Sequence, residues 1–463
     1  MVPRGSSSAA TLADMTEAVL TYRAASTAAI GAVEIDLLLS ASSPDPSLFF
    51  DGFLLHAEQA AVALLQLAKV ARTRFYLPPS MVAARIAAAD PVVTASADRL
   101  RFESFSLCCG VAARFDALSG GLDRPPASNG TTNVDLNPPV RDLLADVRGD
   151  EPLHLAVGTN VTVTTMTASV VEHRVPLSTR WVRGFAEAQA SSAALARRFT
   201  VPAGQARRFV RGLPATSGSR SVLYVIQGRD GLRLTATSQA GSVPLGGANR
   251  LRTIEPLLGY ADSLTVYGPA TPGSGVSSWQ VDLPDGRFVL TLSPNSMRGF
   301  SGEGGLLFDL ADDQAADDAL VLSTLLDFTP VIDPTRIARL AGLDVGRIRP
   351  ALAHLAAAGR VGYDAAEGAY FTRALPWDRT LLETMHPRLA DARALVHQGA
   401  VTVSGDRATV TSAGNVYVLR RSGDSWICSC PWHGQHGGSR GPCKHVLAVS
   451  LLASDLEGRD GRR

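Results

Sequence analysis

Lysine is almost absent from this chain: of its 44 Lys and Arg side chains, only Lys69 and Lys444 are lysine. Alongside the abundant Ala and Gly this reads as coding bias, so no single arginine stands out as chosen over lysine. An excess of charge of either sign is missing too. The 44 basic groups face 43 acidic ones, for a net charge of +1 and a pI near 7.7, which removes a global electrostatic reason for nucleic-acid or membrane binding and leaves only local basic faces. Long apolar runs are lacking: Ala60–Ala71 is short and interrupted by Gln66 and Lys69, as suits a buried amphipathic helix rather than a membrane span. The beginning shows no charged-then-apolar export pattern, so the cytoplasm is the expected compartment. Residues 1–6, MVPRGS, resemble the remnant of a protease cleavage site and are set aside. Cysteine is scarce, but three of the five fall between Cys428 and Cys443. Without an export signal, that clustering points to a metal rather than to disulfides.

What is present reads as folded: 46% hydrophobic and 19% charged residues, in a length that suits roughly three or four domains. The expected class is α+β, multidomain. Residues 12–215 form an N-terminal α+β region, with a helix over Leu54–Ala71, a strand over Leu100–Val111, a loop over Gly120–Pro139, strands over Val161–Val175 and a helix over Trp181–Phe199. Residues 216–310 form a β-rich domain whose short apolar segments are separated by Gly, Pro, Asn and Asp, with Asp285-Gly286 as a two-residue hairpin signal. An acidic linker, Asp309–Asp318, follows, read as solvated, with its last carboxylates favouring a helix N-terminus. Residues 312–378 read as a helix (Ala319–Asp327), a short helix ending at Gly342, a third helix (Val345–Ala358) and a hairpin, the order of a winged helix. Pro350 falls inside the third helix, where it removes a donor and crowds the preceding turn; a start near Pro350 would leave Arg347 and Arg349 in the loop.

Residues 380–456 carry the densest chemistry. Short strands over Ala400–Ser404, Arg407–Thr411, Val416–Arg421 and Trp426–Cys430 deliver Cys428 and Cys430, two apart and therefore on one side of a strand. A Gly-rich segment follows, expected to lack regular structure, and then Cys443-Lys444-His445 opens an apolar helix. A helix N-terminus favours a thiolate. Three thiolates and one imidazole close a tetrahedral shell, the structural kind of Zn²⁺ site with no open position for a substrate. His433 and His436 are rival ligands, but His445 has the right spacing from Cys443.

C-x-C, a variable loop and C-x-H on a ββα unit resemble the SWIM zinc finger at all four positions: Cys428, Cys430, Cys443 and His445. Arg101–Leu118, Gly130–Asn137 and Val175–Gln189 look similar to the larger bacterial SWIM zinc-finger family proteins, a likeness covering most of the chain. The resemblance implies no defined catalytic activity. It does imply shared assembly with a MoxR-type AAA ATPase and a von Willebrand factor A domain protein.

Other signals are weaker. Gly437-Gly438-Ser439-Arg440-Gly441 has the letters of a nucleophile elbow without its strand-to-helix setting. Cys108 and Cys109, read as neighbours on a strand, would face opposite ways and share no metal. Arg197, Arg198, Arg207, Arg208 and Arg211 form the strongest basic cluster, a solvated face or a phosphate patch. No phosphate loop, H-E-x-x-H or dinucleotide fingerprint is present. The favoured function is a non-enzymatic, zinc-stabilised interaction or adaptor protein. DNA binding is the first alternative, with Arg347, Arg349, Arg360 and Arg373 as candidate nucleic-acid contacts. The second is an enzyme with its site in 12–215, where Arg101, Glu103, Asp116 and Asp135 are available.

Overall fold

A computed structural model of the chain describes residues 27–30, 35–38, 48–73, 91–175, 179–215, 222–273, 275–295, 299–300, 306–326, 329–375, 386–423, 425–437 and 440–460. The chain divides into two compact units, Met1–Leu48 and Phe49–Arg463. In the first, Thr27–Ile30 pairs antiparallel with Ile35–Leu38. The second is α+β and multidomain, with several sheets and their own helices. No helix among the described residues is long and apolar enough to cross a membrane.

Its centre is an eight-stranded sheet. The strands run in the order Leu195–Pro202, Ser263–Pro269, Ser277–Leu283, Gly286–Leu292, Val111–Leu118, Arg99–Phe105, Val92–Ser96 and Gly130–Asn133. Strands from either side of residue 215 thus share one sheet, joined where Phe288 pairs with Phe115. The segment expected as one strand over Leu100–Val111 is instead the end of one strand, a turn and the start of the next. Cys108 and Cys109 lie in that turn, Cys109 at φ +53°, rather than on a strand. Ser106 fixes the turn by accepting from the N–H groups of Gly110 and Val111. The hairpin near Asp285 turns through Pro284 and Asp285, and Gly286 already pairs with Leu283.

Period-two alternation gives this sheet two unlike faces. Leu100, Phe102, Phe115, Phe288 and Leu290 point to one core, which also buries the Ala57–Arg72 helix. Arg99, Arg101, Glu103, Arg114, Asp116 and Arg287 occupy the alternate positions. Such a charged face would ordinarily be solvated; here it is buried.

The covering comes from the next segment. Helices Asp313–Leu325, Pro334–Ala341 and Val345–Ala357 precede a hairpin of Val361–Asp364 and Ala369–Thr372. Asp312, Asp333 and Asp344 cap the three helices through their carboxylates, and Gly342 ends the second at φ +66°. The first helix therefore starts earlier than the apolar pattern indicates. The acidic run is not a solvated linker: Leu306–Asp309 is helical, Asp312 is a cap, and Asp318 is buried and ion-paired with Arg347. Pro350 is accommodated within a helix that begins at Val345, so Arg347 and Arg349 are helical.

The C-terminal segment opens with the Pro387–His397 helix. A four-stranded meander follows, Val401–Ser404, Arg407–Ser412, Asn415–Ser422 and Ser425–Cys428, and the chain ends in the Lys444–Asp460 helix. The Gly-rich segment contains one short helix, Pro431–His436, which starts on Pro431 with the Cys430 sulfur as its cap.

Candidate metal centre

The last strand of the meander places Cys428 at its end, and Cys430 follows as the cap of the short helix. The final helix begins immediately after Cys443, and His445 sits in its first turn. All four side chains are buried, each at most 5% exposed. One ligand atom from each lies within 4.8 Å of every other, so the group could hold a metal ion. Two backbone N–H groups already point at sulfur: His433 donates to Cys430 and Val446 to Cys443, both at 3.4 Å. The His445 Nδ1 lies 3.7 Å from the Cys428 sulfur, and its ring stacks on Tyr417 with centroids 4.2 Å apart.

The thiols are electrostatically unequal. A hydrogen bond from Cys428 lowers the Cys443 thiol below its ordinary range; burial opposes this, and His445 and the Val446 N–H assist it. The same bond, with burial, raises Cys428. Burial also raises Cys430, against the His433 N–H. A cation among them would displace the remaining protons.

Residues outside this constellation brace it. Arg388, on the Pro387–His397 helix, donates through Nη1 to the carbonyls of Arg440 and Pro442, each at 2.9 Å, just before Cys443. Its guanidinium lies 4.8 Å from the centroid of the Trp432 ring, which belongs to the short helix after Cys430. One arginine thus ties together the two chain segments that carry the ligands.

No family model and no curated protein matches this chain. Among solved structures, the PCNA2–PCNA3 complex from Sulfolobus tokodaii is similar over 53% of this chain and 100% of the matched one, at 9% sequence identity and a TM-score of 0.37. At that score the likeness carries no functional argument.

The remaining candidate residues separate. Arg101 and Asp116 meet at 2.7 Å, and Glu103 holds Arg373 at 2.6 Å. Asp135 lies apart from them, near Arg141 and Arg72, with its carboxyl raised by burial. Of the candidate nucleic-acid contacts, Arg373 is fully buried, which removes it from any outer surface. Arg347 is exposed but engaged by Asp318 at 2.5 Å, Arg349 is exposed, and Arg360 is half-buried. The five-arginine cluster is split between a strand carrying Arg197 and Arg198 and a helix carrying the other three. Arg211 pairs with Glu255 and Arg207 donates to the Leu258 carbonyl. The nucleophile-elbow letters gain no strand-to-helix frame, and Gly438 and Ser439 lie outside the described residues.

Among the described residues, the largest ionic constellation joins residues that no spacing connects. Asp364 of the hairpin is fully buried and accepts from Arg101 (2.6 Å), Arg114 (2.9 Å) and Arg287 (2.6 Å), while Asp116 accepts from Arg101 and Arg287 (both 2.7 Å). Glu367 adds bonds to Arg99 and Arg287. Burial alone would raise the Asp364 carboxyl, but the guanidiniums of Arg114, Arg101 and Arg287 outweigh it and hold it well below the usual range. The Arg101 guanidinium also lies 3.8 Å from the Phe371 ring centroid.

Proposed function

We propose that Cys428, Cys430, Cys443 and His445 hold one structural Zn²⁺ in a SWIM-type module, and that the chain is a non-enzymatic interaction or adaptor protein. The observation that carries this reading is the donor set: three thiols and one imidazole, all buried and mutually within 4.8 Å. Zn–S and Zn–N bonds of ordinary length at a tetrahedral angle put sulfur and nitrogen about 3.6 Å apart. The 3.7 Å between Cys428 and His445 Nδ1 suits that edge. Four protein ligands leave no position for a substrate. A reducing cytoplasm, where thiols persist, suits such a site. Cobalt(II) exchange tests the closed shell. The expected outcome is a tetrahedral thiolate spectrum that added azide or cyanide leaves unchanged; a spectrum that shifts on adding either would indicate an open, catalytic position.

The partner follows from the resemblance: a complex with an AAA ATPase, joined by a von Willebrand factor A domain protein. Affinity capture of the tagged chain from its own cell should recover the ATPase, and repeated capture without it would remove this part of the reading. A nucleic-acid role for residues 312–378 draws less support. Six of the last seven residues of the Val345–Ala357 helix are apolar, and all seven are buried. Its hairpin is engaged by the arginines of the sheet.

A further inference from the structure

A cavity of about 420 Å³ adjoins the metal centre, with Cys430, Cys443 and His445 in one wall. The facing walls come from elsewhere in the unit: Arg183 and Glu187 on the Thr179–Ser192 helix, Leu306 and Leu307, and His386 to Arg388 at the start of the Pro387–His397 helix. Leu306, Leu307, Pro387, Tyr417, Pro431 and Trp432 make its lining mainly apolar. A cavity of this size, apolar with a few polar groups, is the usual form of a small-molecule site.

Its polar groups are biased towards cations. Arg183 pairs with Glu187 at 2.9 Å, and Lys444 with Asp391 at 3.3 Å. Arg388 differs. Its Nη1 is used on two carbonyls, and although Glu187 and Cys443 act on it by charge, among the described residues no carboxylate is within hydrogen-bonding reach of it. Its Nε and Nη2, the two nitrogens that grip a carboxylate side by side, make no hydrogen bond among the described residues. Nearby His386 is buried, and its Nε2 meets no hydrogen-bond partner among the described residues. A buried polar group without a partner is costly, which favours an occupant that hydrogen-bonds to it.

We propose that this cavity binds a small carboxylate with an aromatic or aliphatic body, the carboxylate on Arg388 and the body against Trp432, Tyr417, Leu306 and Leu307. Binding there would fasten the metal module to the Thr179–Ser192 helix, because one ligand would touch both. Three of the wall residues are metal ligands, so the site rests on the folded module, and the test reads metal content separately.

The experiment uses the full, zinc-loaded chain with 8-anilinonaphthalene-1-sulfonate as a fluorescent apolar anion, displaced by 1-naphthoate or by the neutral 1-naphthalenemethanol. The expected result is saturable one-site binding of the dye, displaced by naphthoate at a concentration at least ten-fold lower than the alcohol requires. Pro387→Trp, at an exposed wall position, should abolish binding with zinc retained. Arg388→Met should bring naphthoate and the alcohol to within about two-fold of each other. No saturable binding, binding untouched by Pro387→Trp, or equal displacement by both compounds would overturn the proposal. So would Arg388→Met weakening only zinc retention while the preference for naphthoate persists, since the arginine would then serve the thiolates alone. Absence of zinc from the wild-type chain would instead overturn the metal reading.

Discussion

His386 shows how one side chain records its surroundings. Burial, then the neighbouring charges of Arg183 and Arg388, lower its pKa from 6.5 to about 4. In the unfolded chain the imidazole takes a proton as the pH falls through 6.5, whereas in the fold it stays neutral until about 4. Its contribution is therefore complete above pH 6.5, is lost between 6.5 and 4, and is constant below. Between pH 7.5 and 5.5 that loss amounts to about 1 kcal/mol. Replacing His386, whose side chain makes no capping bond, by Asn places a favourable residue at the same N-cap position and removes the titration. Denaturant midpoints at the two pH values should then differ by about 1 kcal/mol less in the variant than in the wild type. An equal pH dependence in both would mean that His386 is not held neutral. The group that could hold a metal was legible at this scale because four side chains within 18 residues declare themselves by type and spacing. Arg388 was not legible: it acts through backbone carbonyls across the fold, and one arginine among so many leaves no pattern in sequence.

At the scale of elements, the hairpin Val361–Asp364 with Ala369–Thr372 is held to the central sheet by charge. Asp364 sits among three guanidiniums with no exposure to solvent. Removing one partner of a buried ionic group typically costs about 3–5 kcal/mol, because the opposite charges are left desolvated. Asp364→Asn should lower stability by about that amount in denaturant unfolding while leaving metal content unchanged. Since the Asp364 carboxyl is held below its ordinary range, its contribution is present above about pH 4 and is lost only as the pH falls through the lowered value. A variant as stable as the wild type at neutral pH would show that the ionic contact is incidental. The helices and hairpin here could be read from periodicity, caps and Gly342. What they cover could not. In the strand Arg99–Phe105, residues 99–103 alternate charged and apolar as a half-solvated strand would, and their burial depends on a hairpin more than 250 residues away. The acidic run misled for a related reason: Asp318 is an inward-facing partner of Arg347, which composition alone cannot separate from a solvated carboxylate.

On the scale of the whole molecule, the sheet gathers strands from Val92 to Leu292, the 313–372 segment closes its charged face, and the C-terminal module packs around buried thiols and an imidazole. That organisation makes the candidate metal centre part of one compact unit. The α+β class could be read along the chain, but the continuity of the sheet across residue 215 could not, because pairing between Gly286–Leu292 and Val111–Leu118 spans a sequence distance that local patterns do not cross. The most direct measurement is the zinc content of the purified chain beside four variants, Cys443→Ser, His445→Ala, His433→Ala and His436→Ala. The account predicts about one zinc per chain in the wild type and in the His433 and His436 variants, with the metal lost from the other two and the C-terminal module unfolded with it. Zinc retained in His445→Ala but lost from His433→Ala, or a wild-type chain that binds no zinc, would contradict it.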